Sequence, residues 1–199
     1  SLFAAPLRMI LARGKKTHGV ELRHCWFAQN IATDQFEMVS DWFGCAPRQL
    51  YGMTETIPAV LTDEAAAPRP DAMGYVTNGC DVAIHRPDGT PAEPDEIGEI
   101  VVAGTPGITI FAGYLGDAKT SAASFRDGWF LTGDRASSNP DGRFFFDGRR
   151  SDILKVAGEN VSTIEVEAVL TSHPKVLEAS VVGAPDPVRD EVPVAYVVA

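Results

Sequence analysis

The first 30 residues carry two hydrophobic segments of different pattern. Residues 2–12 (LFAAPLRMILA) are apolar at helical spacing and predict a helix that ends near Gly14. Pro6 fits this helix in its first turn, because a proline further inside would interrupt the backbone hydrogen bonds. Residues 22–28 (LRHCWFA) instead predict a buried strand.

The next segment returns to helical spacing. Thr33 is predicted to cap a short amphipathic helix that Gly44 ends. The apolar residues that share one face of this helix are Phe36, Val39 and Phe43. A second strand is predicted at about 46–50. The resulting order of strand, helix and strand indicates an α/β layer with a parallel sheet.

After the loop at 61–71, the pattern changes to short apolar runs separated by turns. The runs lie at 80–85 (CDVAIH), 97–103 (IGEIVVA) and 143–146 (RFFF). Turn sequences such as Pro-Asp-Gly at 87–89 separate them. This spacing predicts a small antiparallel β unit.

A third pattern begins near residue 149. The run ILKVAG (153–158) predicts a strand at a sheet edge, and Ser162 is predicted to cap a helix through Leu170. The apolar runs at 176–184 and 192–199 predict two more strands. This end of the chain is therefore predicted to be an α+β unit.

Composition excludes several classes of protein. The 199 residues are 45% hydrophobic and carry a net charge of −10, which is typical of a soluble globular protein and argues against a nucleic-acid surface. The apolar runs are shorter than the roughly 20 residues that a membrane helix needs. The cysteines, Cys25, Cys45 and Cys80, are widely spaced and include no CxxC pair. We therefore expect no disulfide framework or zinc site, and a cytoplasmic location.

The first candidate for ligand chemistry is YGMTET at 51–56, directly after a predicted strand. Tyr51 offers a flat face for a base, and Gly52 allows close approach of the backbone. The Thr54 hydroxyl can bond a phosphate oxygen, and the Glu55 carboxylate is a hard ligand for Mg²⁺. An ordinary turn with a buried tyrosine explains the same residues without a ligand, so the motif alone leaves both interpretations open.

Two further candidates lie later in the chain. Asp134 ends the segment FLTGD, just after a β run and a glycine, where an aspartate can accept hydrogen bonds from both hydroxyls of a ribose. Arg149, in the turn GRRSD, can reach sugar or phosphate oxygens, and the backbone at Gly158 can pass close to a ligand. A turn aspartate, a surface arginine and a turn glycine are the alternative interpretations.

The order of the motifs carries more information than any one of them. They are YGMTE (51–55), GEIVVAG (98–104), GYLGD (113–117), DGWFLTGD (127–134) and DGRRSDILKVAGENVSTIEVE (147–167). In this order the sequence resembles the adenylate-forming superfamily, which comprises acyl-CoA synthetases, adenylation domains of peptide synthetases and luciferases. Together with LRHCWFAQNI, HPKV and PDPVRDE, it looks most like ligases of the carnitine/crotonobetaine-CoA type.

The resemblance implies a mixed α/β fold in three parts. Residues 1–72 are expected to be part of the α/β layer of the family's large domain. Residues 73–148 are expected to form its β-barrel-like unit, and residues 149–199 the start of a small, mobile α+β C-terminal domain.

The resemblance also implies a reaction in two steps. A small carboxylic acid attacks the α-phosphate of ATP to give an acyl-AMP and pyrophosphate, and the thiol of coenzyme A then displaces AMP. The implied ligands are therefore ATP, Mg²⁺, coenzyme A and the acid, with no nucleic acid and no membrane span.

By the same resemblance, Thr54 is expected to bond the α-phosphate, Glu55 to hold Mg²⁺ and Tyr51 to stack on adenine. Asp134 is expected to bind the ribose hydroxyls, with Arg149 beside it. The other implied positions are Ala28, Gln29 and Asn30 on the adenine and acyl side, the domain hinge Ser151, and Gly158 at the pantetheine tunnel. The family often has a Gly-rich turn at 28–30 and Asp or Lys at the hinge, so this sequence departs from the pattern at both.

Two parts of the family pattern are not found in these residues. They are a Ser/Thr/Gly-rich phosphate loop ending in lysine, expected before residue 22, and a PxxxxGK segment with the catalytic lysine, expected after the last strand. We therefore expect the 199 residues to be the middle and later part of a longer enzyme, completed by the rest of its own chain and inactive alone.

Two alternatives to a coenzyme A ligase stay open. One is a non-catalytic nucleotide-binding module derived from the family. The other is an adenylation domain that transfers its acyl group to a carrier protein, since GENVSTIEVE at 158–167 does not distinguish the two acceptors.

Overall fold

The strands of this protein form three sheets within the residues that the computed structural model describes, which are 2–14, 21–28, 31–56, 59–64, 66–149 and 152–199. The chain divides into two compact units. The first comprises residues 1–132 and 136–147, and the second comprises residues 133–135 and 148–199. Among the described residues, no helix has the length and apolar character needed to cross a membrane.

The first sheet of the first unit has five strands in sequence order. They are β1 (Leu2–Phe3), β2 (Trp26–Ala28), β3 (Arg48–Tyr51), β4 (Leu61–Thr62) and β5 (Tyr75–Val76). The first three strands are parallel, and β4 and β5 continue the sheet antiparallel. The predicted parallel layer is therefore present, and the loop after YGMTET adds two short strands that the sequence pattern did not indicate.

Two helices, α1 (Ala4–Ala12) and α2 (Thr33–Phe43), accompany this sheet. Gly44 ends α2 in the left-handed conformation with φ of 69°, as predicted. The prediction that Thr33 caps α2 is wrong, because Ala32 occupies the capping position and Thr33 is already the first helical residue. No side chain caps this end, and Asp34 in the first turn supplies the negative charge that a helix N-terminus favours.

The helices and β2 share a small apolar core. Its buried members are Leu7, Phe27, Ile31 and Val39, and the partly buried side chains of Leu11, Phe36 and Phe43 pack against them. Burial of each large side chain contributes about 1.5–3 kcal/mol. The predicted apolar face of α2 therefore points into this core.

The second sheet is curled into a half-barrel and has the order β10-β9-β7-β6, with β8 added against β9. Its strands are β6 (Asp81–His85), β7 (Gly98–Ala103), β8 (Phe125–Arg126), β9 (Trp129–Ser138) and β10 (Phe144–Arg149), and the short helix α3 (Ala118–Ala123) precedes β8. The predicted antiparallel pairing of the segments at 80–85 and 97–103 is confirmed. The β run predicted before Gly133 is part of β9, which continues through Gly133 and Asp134 to Ser138.

A larger core lies in the first unit between the half-barrel strands and β4. Its buried residues are Val60, Leu61, Met73, Ile84, Ile100, Val102, Ile110, Phe130, Ala136 and Phe144. Tyr51 and Phe111 are partly buried against this core. The end of β3 and the loop around Phe111 are therefore both anchored on the same apolar cluster.

The second unit contains a four-stranded sheet with the order β12-β11-β14-β13. Its elements are β11 (Ile153–Val156), β12 (Glu159–Ser162), α4 (Thr163–Thr171), β13 (Glu178–Asp186) and β14 (Asp190–Val198). Ser162 caps α4 as predicted, since its hydroxyl accepts the backbone N–H of Glu165. Leu154 and Val181 are the buried apolar side chains of this sheet.

Candidate active site

The motif YGMTET begins at the last residue of β3 and turns sharply into a 3-10 helix at Thr54–Thr56. Thr56 is buried, and its hydroxyl joins both backbone groups of Met53: it accepts the N–H at 3.0 Å and donates to the C=O at 3.1 Å. This local closure exposes Thr54 and leaves Glu55 half-buried. The turn therefore presents a hydroxyl and a carboxylate at the carboxyl end of a parallel strand, where ligands of α/β sheets commonly bind.

Thr54 and Glu55 line a cavity of about 490 Å³ in the first unit. The rest of its lining comes from the loop at 107–115: Gly107, Ile108, Ile110, Phe111, Ala112, Gly113, Tyr114 and Leu115. The cavity therefore has one carboxylate and two hydroxyls, those of Thr54 and Tyr114, among mainly apolar groups.

The same loop holds Glu55 at two points. The backbone N–H of Phe111 donates to the backbone C=O of Glu55 at 2.8 Å, and the Tyr114 hydroxyl donates to its Oε1 at 3.0 Å. Burial and the hydrogen bond to Glu55 raise the pKa of the Tyr114 phenol above its usual value. The phenol is therefore protonated, and a donor, at neutral pH.

The second unit brings Asp134 and Arg149 together. Arg149 Nε lies 2.8 Å from Asp134 Oδ1, with the Asp134 side chain 5% exposed and the Arg149 side chain 61% exposed. The backbone N–H of Arg149 donates to Asp152 Oδ2 at 3.0 Å. A buried carboxylate is thus paired with an arginine whose side chain is mostly exposed.

Gly158 lies at the tip of the hairpin between β11 and β12. The two turn residues, Ala157 and Gly158, have φ of 50° and 87°, while Val156 and Glu159 pair on either side. Positive φ at both positions is the geometry of a type I′ turn, which glycine adopts without strain. A Cβ at Gly158 would meet no atom within 4 Å, so open space surrounds this backbone.

Of the other predicted site residues, Ala28 lies within the described part of the chain. Ala28 is the last residue of β2 and is half-buried. Gln29, Asn30 and Ser151 lie outside the described residues. The predicted residues therefore fall into two groups, with Ala28, Tyr51, Thr54 and Glu55 in the first unit and Asp134, Arg149 and Gly158 in the second.

Tyr114 contacts the Glu55 carboxylate, although the motifs did not predict it as a site residue. It is 59 positions from Glu55 in sequence, and it belongs to the motif GYLGD (113–117). The sequence signal for Tyr114 was its place after a glycine in GYLGD, a motif to which no role was assigned.

A single carboxylate beside a hydroxyl can hold a divalent cation that also binds a phosphorylated ligand. Mg²⁺ is usually bound through one or two carboxylates, with water and substrate phosphates completing the octahedron. Among the described residues, no three or more His, Cys, Asp or Glu side chains cluster as a metal site made of protein alone. Glu55 with Thr54 is the arrangement in the first unit that suits such shared coordination.

Two family models match the chain. The model described as AMP-binding enzyme matches residues 3–115, and the model described as AMP-binding enzyme C-terminal domain matches residues 165–199. The first covers the parallel layer, YGMTET and the loop up to Leu115.

Individual proteins agree with the family models. A crotonobetaine/carnitine–CoA ligase from Salmonella paratyphi C is 35% identical over 179 residues, which is 89% of this chain and 35% of that protein. The o-succinylbenzoate CoA synthetase from Bacillus subtilis, solved with its acyl-adenylate intermediate, is 32% identical with a TM-score of 0.82. That comparison covers 99% of this chain and 41% of the synthetase.

The same synthetase solved with ATP and magnesium ion gives a TM-score of 0.81 at 32% identity, covering 99% of this chain and 41% of that one. The chain therefore spans between a third and a half of the length of these proteins.

Proposed function

Because this chain belongs to the family of AMP-binding enzymes, we propose that it is the part of an ATP-dependent acyl-CoA ligase that binds the nucleotide. The observation that carries the proposal is the pairing of Thr54 and Glu55 in one cavity at the end of β3. The similar synthetase of known structure binds ATP and magnesium ion, which supports the same ligands here. The experiments below use the whole protein, meaning the product of the complete open reading frame that encodes these residues.

The proposed reaction has two half-reactions. A carboxylate oxygen of a small acid attacks the α-phosphorus of ATP, and the bond to the pyrophosphate oxygen breaks to leave an acyl-AMP. The sulfur of coenzyme A then attacks the acyl carbon, AMP leaves with the bonding electron pair, and the thiol proton passes to solvent. Both steps bring anions together, so charge neutralisation and alignment are the main demands on the protein.

Thr54 and Glu55 act at the phosphate end. The exposed Thr54 hydroxyl donates to an α-phosphate oxygen, and the half-buried Glu55 carboxylate holds Mg²⁺. These residues fit the ion, because a hard anionic oxygen lies in a cavity with room for phosphate oxygens to complete the coordination. When bound, Mg²⁺ supplies positive charge that offsets the charge developing on the pyrophosphate leaving group.

Other residues bind the adenosine end of ATP. The ring of Tyr51, anchored on the core of the first unit, stacks on adenine. The Asp134 carboxylate accepts the ribose hydroxyls, and Arg149, already paired with Asp134, contacts the sugar and phosphate oxygens. Ala28, Gln29 and Asn30 line the adenine and acyl side.

The second half-reaction involves the second unit. The open backbone at Gly158 lies along the pantetheine arm of coenzyme A, and Ser151 is the hinge on which the small domain turns. We propose the same three domains as the resemblance implies, with boundaries after residues 72 and 148. We place the protein in a reducing, cytoplasmic compartment, because the cysteines Cys25, Cys45 and Cys80 are widely spaced and include no CxxC pair.

An assay of the whole protein with ATP, Mg²⁺ and a panel of small carboxylic acids tests the proposed reaction. We expect pyrophosphate release with at least one acid, and a thioester when coenzyme A is added. If a thioester forms only with a phosphopantetheinyl carrier protein, the acceptor is the carrier protein and not coenzyme A. ATP binding without pyrophosphate release for any acid would favour the non-catalytic module.

Asp134→Asn is expected to weaken ATP binding by the whole protein about tenfold. The substitution keeps the shape of the side chain but loses charge assistance in hydrogen bonds to the ribose, which are worth roughly 1.5–3 kcal/mol when one partner is charged. Calorimetric titration with a non-hydrolysable ATP analogue measures the effect.

Asp141→Asn is the matched control, since Asp141 is an exposed turn aspartate between β9 and β10. The control is expected to bind the analogue like the unaltered protein. Equal affinity of Asp134→Asn and the control, with unchanged melting temperatures, would exclude the ribose role.

A further inference from the structure

Glu55 is fixed at both its backbone and its side chain by one loop. Phe111 N–H binds its C=O, and the Tyr114 hydroxyl binds Oε1. A glutamate has three side-chain torsions, so a free carboxylate loses rotamer entropy whenever it binds a cation. A hydrogen bond that already orders the carboxylate reduces that loss.

Tyr114 is itself held in place on two sides. Its backbone N–H donates to Ser121 Oγ at 2.8 Å, and the Ser121 hydroxyl donates to the backbone C=O of Asp117 at 2.7 Å. Its ring packs edge-on against Phe111, with centroids 4.9 Å apart. The position of the phenol is therefore set by contacts that do not involve Glu55.

A glycine in the loop allows its backbone to lie close to Ser121. Gly113 has φ of 139°, in the region that favours glycine, and a Cβ there would lie 3.0 Å from Ser121 Oγ. Asp117 caps α3 by accepting the N–H of Thr120 at 2.9 Å. Hydrogen bonds within the segment from Gly113 to Ser121 thus hold the backbone that carries the phenol.

We propose that Tyr114 is a positioning residue for the Mg²⁺ ligand Glu55, which it acts on through the hydrogen bond to Oε1. The inference rests on the proposed function, in which Glu55 holds the cation. Carboxylates that bind metals are commonly oriented by a second hydrogen-bonded group, and loss of that group typically costs 10–100-fold in metal affinity or activity. One carboxylate oxygen bound to the phenol leaves the other for the cation.

Tyr114→Phe in the whole protein tests this role. The substitution keeps the ring and its packing on Phe111 but removes the hydroxyl. We expect the Mg²⁺ concentration that gives half-maximal pyrophosphate release to rise about tenfold. At saturating Mg²⁺ we expect kcat to approach that of the unaltered protein, because the cation then orders the carboxylate itself.

Tyr75→Phe is the matched control. It removes a tyrosine hydroxyl that accepts from Arg143 Nε at 3.2 Å in the same unit and has no contact with Glu55. We expect its Mg²⁺ dependence to be unchanged. If Tyr114→Phe lowers the melting temperature but leaves the Mg²⁺ half-saturation where it was, the tyrosine only closes the loop and the inference is wrong.

Two further variants complete the test. Ser121→Ala removes the bond that holds the Tyr114 backbone, and we expect a smaller rise of the same kind, so it serves if Tyr114→Phe does not fold. In a Glu55→Ala background, which has no acceptor for the phenol, Tyr114→Phe is expected to add no further loss, because the hydroxyl acts only through the carboxylate. Independent, additive losses would overturn the inference.

Failure of the inference and failure of the proposed function give different results. If Glu55→Gln leaves the Mg²⁺ dependence of pyrophosphate release intact, Glu55 is not the cation ligand and the proposed site fails. If Glu55→Gln raises the Mg²⁺ concentration needed for pyrophosphate release while Tyr114→Phe and Ser121→Ala leave it unchanged, the site stands and only the positioning role fails.

Discussion

Glu55→Gln is expected to slow adenylate formation by the whole protein about 100- to 1000-fold, the usual cost of removing one group that stabilises developing charge. Glutamine has nearly the same shape and can still accept the hydrogen bond from Tyr114, so the turn at 54–56 should persist. What it loses is the negative charge that attracts Mg²⁺. Pyrophosphate release, measured over a range of Mg²⁺ concentrations, reports the effect.

The matched control is Glu37→Gln, which removes the same charge from an exposed position on α2. Its pyrophosphate release is expected to equal that of the unaltered protein. A higher Mg²⁺ concentration is expected to restore part of the Glu55→Gln activity, because a weaker ligand lowers the affinity of the site for the cation. Wild-type rates for Glu55→Gln at every Mg²⁺ concentration would contradict the assignment.

Arg143→Met is expected to lower the free energy of unfolding by about 3 kcal/mol, because it leaves a buried carboxylate without its cation. The Arg143 side chain is 7% exposed and lies 2.6 Å from Glu64 Oε1, and its Nη2 lies 3.9 Å from Oδ1 of the fully buried Asp63. It also donates to the Tyr75 hydroxyl and to the C=O of Ala67. Urea unfolding of the whole protein measures the loss.

Arg69→Met provides the comparison for this effect. Arg69 lies in the same loop as Asp63 and Glu64. Its ion pair with Asp71 is exposed, because the two side chains are 50% and 56% exposed. An exposed pair contributes at most about 1 kcal/mol, so the loss is expected to be small. Equal destabilisation by the two substitutions would show that burial of the Arg143 network is unimportant.

The cost of Arg143→Met is also expected to depend on pH. Burial raises the pKa of Asp63 above its ordinary value, although Arg143 and two backbone N–H groups act in the opposite direction. A raised pKa in the folded state means that folding favours the protonated form, and this contribution is lost as the pH rises through that pKa. Without Arg143 the preference grows, so the deficit of the variant should shrink as the pH is lowered from neutral toward 4.

The local elements were accessible from the sequence where one short-range feature dominates. The helical spacing of Phe36, Val39 and Phe43 predicted the buried face of α2, and Gly44 and Ser162 predicted one end of a helix each. Such features depend on residues within three or four positions of one another, so a linear pattern contains them. The extension of β9 beyond Thr132 was missed because Gly133 and Asp134 place backbone freedom and charge inside a strand whose pairing is decided by distant partners.

The sequence by itself determined the family, through five motifs in a fixed order, and with it the chemistry expected of Thr54, Glu55 and Asp134. Only the tertiary structure decided which side chains that are distant in sequence contact one another. The contact of Tyr114 with Glu55 joins residues 59 positions apart, and that of Arg143 with Glu64 joins residues 79 positions apart. A hydrogen bond depends on distances of about 3 Å between atoms, which follow from how loops pack on a shared core and not from the order of residues along the chain.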